Sequence, residues 1–285
     1  MILEVGARHG PFSGRLDPER IASYATATND ETPAVRDGVA VPVTFPVILV
    51  FDAQEAANRD VLAVVLEHAR GGVHGEHDIV LHRPLVPGEA IETWSELSAV
   101  RTTRAGARVV LHLHQYDERG ALVAEQWWTT LFLGTDVLAD VGPEPPGHTF
   151  PDAARRHPVG SATQWVGHDV AHRYAEVSGD WSPHHFDAEA ARAAGFDDVF
   201  AHGLCTMAMA TQSTVQLVAD SDPRRVRRVA VRFASPMPLG ADLTVDVFAA
   251  GLGSYAFEAS CRRPDGRASA TVITHGRIEL RGAER

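Results

Sequence analysis

Cysteine is nearly absent: the 285 residues hold two, Cys205 and Cys261, so no disulfide framework is implied. CxxC and zinc-type cysteine spacings are missing as well. Long basic runs are scarce and the net charge is -11. That balance argues against nucleic acid and anionic membrane as main partners. The longest apolar run, Val39 to Phe51, is too short to span a bilayer and is broken by Pro42 and Pro46. The opening residues show no basic segment followed by an apolar one. The expectation is a cytoplasmic protein.

What is present is material for a core. Hydrophobic residues make up 45% of the chain and charged residues 22%, the balance of a globular protein. The length suits two ordinary domains or one large one. The histidines are numerous but scattered. His112 and His114 sit in an alternating pattern and read as one face of a strand rather than a metal site.

Asp17-Pro18 opens a helix that runs to about Thr28. Residues 45–58 read as an apolar helix, and 76–83, 90–100, 106–116 and 121–133 as strands. Residues 135–160 are rich in Pro, Gly and charge, lack periodicity, and read as a linker. The pattern then restarts. A short strand (162–167) precedes a helix (169–178) ending at Gly179, and Asp187 caps a short helix. A helix from Gly203 to about Val218 is apolar or small nearly all round, hence buried. Strands at 226–234, 241–250, 253–262 and 267–280 close the chain.

The two halves are copies of one unit. Shifted by 150 residues, YATATNDETPAVRD (24–37) lies over YAEVSGDWSPHHFD (174–187), with Tyr, Ala, Asp, Pro and Asp coincident. Shifted by 152, PLVPG (84–88) lies over PMPLG (236–240). Each unit reads helix, loop, apolar helix, four-strand meander: an α+β layer in which a curved antiparallel sheet wraps a long helix. Residues 1–134 and 161–285 are the two expected domains, with 135–160 between them.

The repeat carries its own control. The second copy has His185 where the first has Val35. It has His202-Gly203 before its buried helix, where the first has Pro42-Val43. Asp180 is matched by Asp30, but no base accompanies Asp30. The chemistry therefore belongs to the second copy, and the first serves as scaffold or substrate-binding half. A carboxylate and an imidazole five residues apart, across a turn centred on Pro183, can orient and activate a water. The helix start at Gly203 offers free N–H groups to a carbonyl oxygen that becomes an enolate. One such donor is worth ~3 kcal/mol. Taken singly, Asp180, His185 and His202 have bland readings as turn and loop residues, as does His184, and Trp181 reads as packing. Their combination is what points to chemistry.

The stretch SGDWSPHHFDAEAARAAGFDDVFAHGLCTM resembles the hydratase-2 motif of MaoC-like dehydratases and R-specific enoyl-CoA hydratases. Ser178, Gly179, Asp180, Pro183, His185, Asp187, Ala194-Gly195-Phe196 and His202-Gly203-Leu204 carry the match. GEHDIVLHRPLVPGEAIETWSEL and the later TTLFLG resemble the degenerate first domain of two-domain members. The resemblance implies a double hotdog fold and reversible syn hydration of a trans-2-enoyl thioester to an (R)-3-hydroxyacyl thioester. It implies Asp180 and His185 as the water-activating pair, the Gly203 N–H as oxyanion contact, and Ser182, Pro183 and His202 as supporting residues. It implies no metal and no redox cofactor, with CoA or carrier-bound pantetheine entering on the substrate, and it admits a homodimer. Two positions depart from the motif: its Asn is Ser182 and its Leu or Ile is His184. Because Ser is shorter, the hydrogen bond made by the Asn is expected to be lost or bridged by water. A hotdog thioesterase and a non-catalytic acyl-thioester-binding subunit are the alternatives. Arg224, Arg225, Arg227 and Arg228 could meet CoA phosphates, but read better as dispersed charge at a strand end.

Overall fold

Asp17 accepts the Arg20 N–H at 2.9 Å, and the Asp-Pro signal starts a helix as its chemistry requires. The computed structural model describes residues 5–65, 69, 71–135, 140–262 and 269–282, with backbone alone over 60–65. Residues 267–268 of the expected last strand and 136–139 of the expected linker lie outside the described residues.

The first half runs β1 (Arg8–Arg15), α1 (Pro18–Ala27) and α2 (Pro33–Arg36), then a 3-10 turn (Phe45–Leu49) into α3 (Phe51–Val65). It continues through β2 (Gly72–Leu81), β3 (Ala90–Thr103), β4 (Gly106–Asp117) and β5 (Leu122–Leu133). The second half runs β6 (Pro158–Val166), α4 (Val170–Ser178), a 3-10 turn (Pro183–His185), α5 (Ala188–Ala193), β7 (Phe200–Ala201) and α6 (Gly203–Val218). Then come β8 (Val226–Phe233), β9 (Met237–Pro238), β10 (Ala241–Gly251), β11 (Ser254–Arg262) and β12 (Ala270–Leu280).

Ten strands form one antiparallel sheet in the order β1-β3-β4-β5-β2-β8-β12-β11-β10-β6, and β7 pairs with β9. The expected four-strand meander is therefore corrected at its first strand. β3, β4 and β5 form a meander, but β2 lies beside β5 rather than β3; β8 likewise lies beside β12. This puts β2 and β8 at the centre, where they join the halves. Asp78 pairs with Ala230 there, and 230 − 78 = 152, the repeat shift, so each residue faces its own counterpart. An approximate twofold axis passes through this pair. The repeated tyrosines also meet: the Tyr24 and Tyr174 rings, both buried, lie 6.0 Å apart between α1 and α4.

Helix α6 is buried from Leu204 to Val215, as an all-round apolar helix must be, and rests on β6, β8, β10 and β12. Gln164 on β6 donates to the Met209 carbonyl (2.9 Å) and the Ser213 hydroxyl (2.8 Å), fixing the helix against its sheet. α3 rests on β1, β3 and β4 in the same way, with the Ser95 hydroxyl on the Ala53 carbonyl. Gly88 and Gly240 close the two matching Pro-rich turns at φ +88 and +67, the left-handed conformation glycine adopts without strain.

The reading of 135–160 needs amendment: β6 begins at Pro158, residues 152–156 form a 3-10 turn, and Val141 bridges Val100. This stretch is pinned across the sheet by Glu144 with Arg101 and Arg108, and by Arg155 with Glu258. None of the four arginines at 224–228 presents unpaired charge as a CoA site would need. Arg224 pairs with Asp222, Arg225 with Asp220, Arg227 with Glu279, and Arg228 with Asp78 and Glu279. Among the described residues no helix is long and apolar enough to cross a membrane.

Candidate active site

Gly179 ends α4 in the left-handed conformation and turns the chain toward the cavity. Asp180 follows, and the 3-10 turn from Pro183 brings His185 back beside it. One ligand atom each of Asp180, His185 and His202 lies within 4.8 Å of the other two, so these side chains converge.

His185 is buried, and its Nδ1 lies 2.9 Å from the Phe200 carbonyl oxygen on β7. A carbonyl only accepts, so Nδ1 carries the proton and Nε2 keeps its lone pair. Burial, then the neighbouring His202 and His184 rings, lower the His185 pKa to about 3. The imidazole is therefore neutral at ordinary pH and able to accept a proton. Burial also acts on Asp180, pushing its carboxyl up. The Ser182 hydroxyl, the His202 ring and the Ser182 N–H outweigh it and hold the carboxyl below its usual range.

Short as it is, Ser182 hydrogen-bonds directly to the acid of the site. Its hydroxyl donates directly to Asp180 Oδ1 at 2.5 Å, and its N–H donates to the same oxygen at 3.1 Å. The side chain is short enough to bond within its own turn, and no water is needed. Pro183 is exposed and starts that turn. His202 Nε2 donates to the Asp180 backbone carbonyl at 2.9 Å and stands 3.9 Å from Oδ2, bracing the Asp180 residue. His184 stacks on Phe200 with ring centroids 5.5 Å apart. Trp181 stays largely exposed, tilted against Phe186.

His202 is the N-cap of α6 and supplies no side-chain cap. The first-turn N–H groups from Gly203 onward thus lack the usual partner, and the positive helix end faces the site. Gly203 lines a cavity of about 770 Å³ together with Asp180, His185 and His202. That volume lies in the range of small-molecule sites. Its opposite wall comes from the first half, through His74 on β2 and Trp128 and Leu131 on β5. His74 stacks on Trp128 with centroids 4.0 Å apart and approaches Phe233 of β8 at 5.0 Å. These wall residues carry no local motif. They reach the site because β2 pairs with β8, a contact between segments about 150 residues apart.

The corresponding place in the first half is nearly filled. Asp30, Thr32, Pro42 and Val43 line a cavity of about 10 Å³, room for one water at most. Asp30 repeats the Asp180 turn, its carboxylate accepting the Thr32 N–H at 2.9 Å, but Val35 stands in place of His185. Burial raises the Asp30 carboxyl despite its bonds to Thr32, the opposite of the shift at Asp180.

Both halves of the chain match known families. Residues 149–262 match the MaoC like domain, and 4–126 match the FAS1-like dehydratase domain region. The chain is 30% identical to 3-hydroxyacyl-thioester dehydratase Y of Mycobacterium tuberculosis over 73% of this chain and 72% of that one. It is 30% identical to the peroxisomal multifunctional enzyme type 2 of Drosophila melanogaster over 63% of this chain, but spans only 30% of that enzyme's length. The structure of a MaoC-like dehydratase from Phytophthora capsici superposes with a TM-score of 0.81 at 20% identity, covering 97% of this chain and 96% of the other. The first half departs from the expected buried helix: among its described side chains, α3 buries only Ala53, Ala56 and Ala57 on its sheet-facing side and exposes Asp52, Glu55 and Arg59. A helix packed on sheet in each half, with the hydratase-2-like stretch in the second, places the chain in a known group: it belongs to the MaoC-like dehydratase family, in its double hotdog form.

Proposed function

We propose that the protein catalyses the reversible syn hydration of a trans-2-enoyl thioester to an (R)-3-hydroxyacyl thioester. The observation that carries this reading is the neutral His185, with Nε2 free, beside an ionised Asp180 in a cavity reached by an uncapped helix N-terminus. Relatives named 3-hydroxyacyl-thioester dehydratase and enoyl-CoA hydratase 2 support it.

A water held between the Asp180 carboxylate and His185 Nε2 adds its oxygen to C3 as its proton passes to the pair. The thioester oxygen takes up the resulting enolate charge against the Gly203 N–H. A proton then returns to C2 from the same face, which gives syn addition and balances the water. Dehydration is the reverse. Ser182 and His202 hold Asp180, and Pro183 shapes the turn. Asp180, His185 and His202 could together ligate a metal, but each proton has a destination without one, so no metal or redox cofactor is assigned to the step. The substrate brings its own pantetheine arm, from CoA or a carrier protein. In this reading the second half, from β6 at Pro158 onward, forms the catalytic domain, residues 1–134 shape the acyl site, and the stretch between them connects the two. The protein acts in the cytoplasm, which cell fractionation tests, and as a homodimer, which light scattering tests.

The assay is loss of enoyl-thioester absorbance across acyl lengths and both carriers. Turnover is expected, and its absence across the panel overturns the proposal. Release of free thiol instead would mark a thioesterase. Asp180→Asn and His185→Gln should each slow hydration by roughly 100- to 10,000-fold with folding intact. Full activity in both variants would overturn the assigned roles.

A further inference from the structure

The outer face of the first half's sheet carries a second convergence of titratable groups, remote from the reaction. His112 and His114 point outward from β4, opposite inward-facing Leu111, Leu113 and Gln115. Glu96 on β3 lies directly across from His112, and Glu125 on β5 directly across from His114. One ligand atom each of Glu96, His112 and His114 lies within 4.8 Å of the other two.

Two features set this cluster apart from a merely polar strand face. The first is the way the imidazoles are held. Glu125 Oε1 accepts the Nε2 proton of His112 at 3.0 Å, and Trp127 stacks on the same ring with centroids 4.3 Å apart. A carboxylate that takes one ring proton turns the other ring nitrogen into a lone-pair donor, as in carboxylate–histidine–metal arrangements. That nitrogen, His112 Nδ1, faces Glu96 Oε1 at 3.9 Å. The gap is long for a hydrogen bond and suits a cation bridging the two with bonds of about 2.1 Å. The second is His114, whose Nδ1 is buried and has no hydrogen-bond partner. A buried polar atom left unpaired is costly, and a cation would satisfy it.

We propose that Glu96, His112 and His114 form a binding site for a zinc-class divalent cation on this face, with Glu125 orienting His112. Two imidazoles and one carboxylate form a borderline donor set, which favours zinc or a neighbouring transition metal over calcium or magnesium. The site ties β3 to β4 and leaves a fourth position for water. Trp127 and His112 lie on the opposite sheet face from Trp128, which lines the reaction cavity, so the cation takes no part in hydration. Its effect is on the sheet: binding to the folded state alone raises stability with cation concentration.

The test is calorimetric titration of chelator-treated full-length protein with zinc chloride, repeated on His112→Ala/His114→Ala and on His185→Gln. The expected result is one zinc per chain in the native protein and in His185→Gln. Affinity should fall at least about 100-fold in the double variant, with its circular dichroism unchanged. Should the double variant fail to fold, Glu125→Gln serves in its place, with an expected loss of about 10-fold. No zinc bound by the native protein, or native affinity in the double variant or in its replacement, overturns the proposal. Loss of zinc in His185→Gln also overturns it, because the ion would then lie among Asp180, His185 and His202.

Discussion

Ser182 holds a charge in place with two donors. Its hydroxyl and N–H converge on Asp180 Oδ1, and together with His202 they offset the burial that would otherwise raise the carboxyl. Ser182→Ala removes the hydroxyl alone. The Asp180 pKa should then rise, moving the acid limb of kcat/KM upward, and the rate at neutral pH should fall about 10-fold, as for one lost charged hydrogen bond. Ser182→Asn should restore the limb, since an amide can donate to the same oxygen. An unmoved limb in Ser182→Ala would show that the hydroxyl does not tune the acid. His185 sets a related expectation. With its pKa lowered to about 3, mainly by burial, it stays neutral far below the usual histidine range. The profile of the native protein should therefore stay flat from about pH 8 to about pH 5, without the break near 6.5 of an ordinary histidine. The sign for stability follows from the same shift. The unfolded chain takes up a proton near pH 6.5 that folded His185, like buried His77 with its pKa lowered to about 4, refuses. Stability is thus full above the unfolded value and falls with pH, by about 1.4 kcal/mol per unit per histidine between the two values. Urea unfolding at stepped pH measures this, and His77→Gln should remove one histidine's share of the slope.

At the scale of elements, the step from His202 into α6 separates scaffold from ligand contact. A Cβ added at Gly203 would meet the Phe233 ring at 3.4 Å, ordinary van der Waals contact. Gly203→Ala should therefore keep the melting temperature close to native. The added methyl would still stand at the cavity wall beside the N–H that we propose receives the thioester oxygen, so kcat/KM should drop by at least about 10-fold. A large loss of melting temperature would mean instead that Gly203 serves packing. This helix was legible in the sequence at both ends, because an all-round apolar run with a Gly start has few other solutions. β1 was not legible. Its sequence, RHGPFSGR, breaks alternation with glycines and a proline, and it is an edge strand whose pairing with β3 shifts register between His9 and Phe12. The place of β2 beside β5 was not legible either, because strand order depends on which edge is needed to join the halves. Within the site, the residues of one contiguous turn and helix start could be read directly. Phe200, His74, Trp128 and Phe233 could not, since a carbonyl or ring from another strand leaves no spacing to detect.

The whole molecule depends on the seam where β2 meets β8. Near its twofold axis Arg228 reaches across to Asp78, with Nε at 3.0 Å from Oδ1 and an amino group at 2.5 Å from Oδ2. Both side chains are largely buried, Asp78 at 5% exposure and Arg228 at 11%. The two ends of this pair are not equivalent. Arg228 also contacts Glu279 at 3.4 Å and the Pro146 and Gly147 carbonyls, whereas among the described residues Asp78 forms its ion pair with Arg228. Burial already raises the Asp78 carboxyl, with Arg228 opposing that rise. Arg228→Ala strands a buried carboxylate and should cost about 3–5 kcal/mol, whereas Asp78→Ala leaves the guanidinium partly satisfied and should cost less. Glu279 keeps Arg227 and Arg277 in either case, so its own charge stays compensated. Replacing both partners, as Asp78→Leu with Arg228→Met, removes the buried charge and should recover more than half of the Arg228→Ala loss. Equilibrium denaturation of the three variants measures the order. A loss for Arg228→Ala no larger than that for Asp78→Ala would mean that Asp78 is compensated by a group other than Arg228.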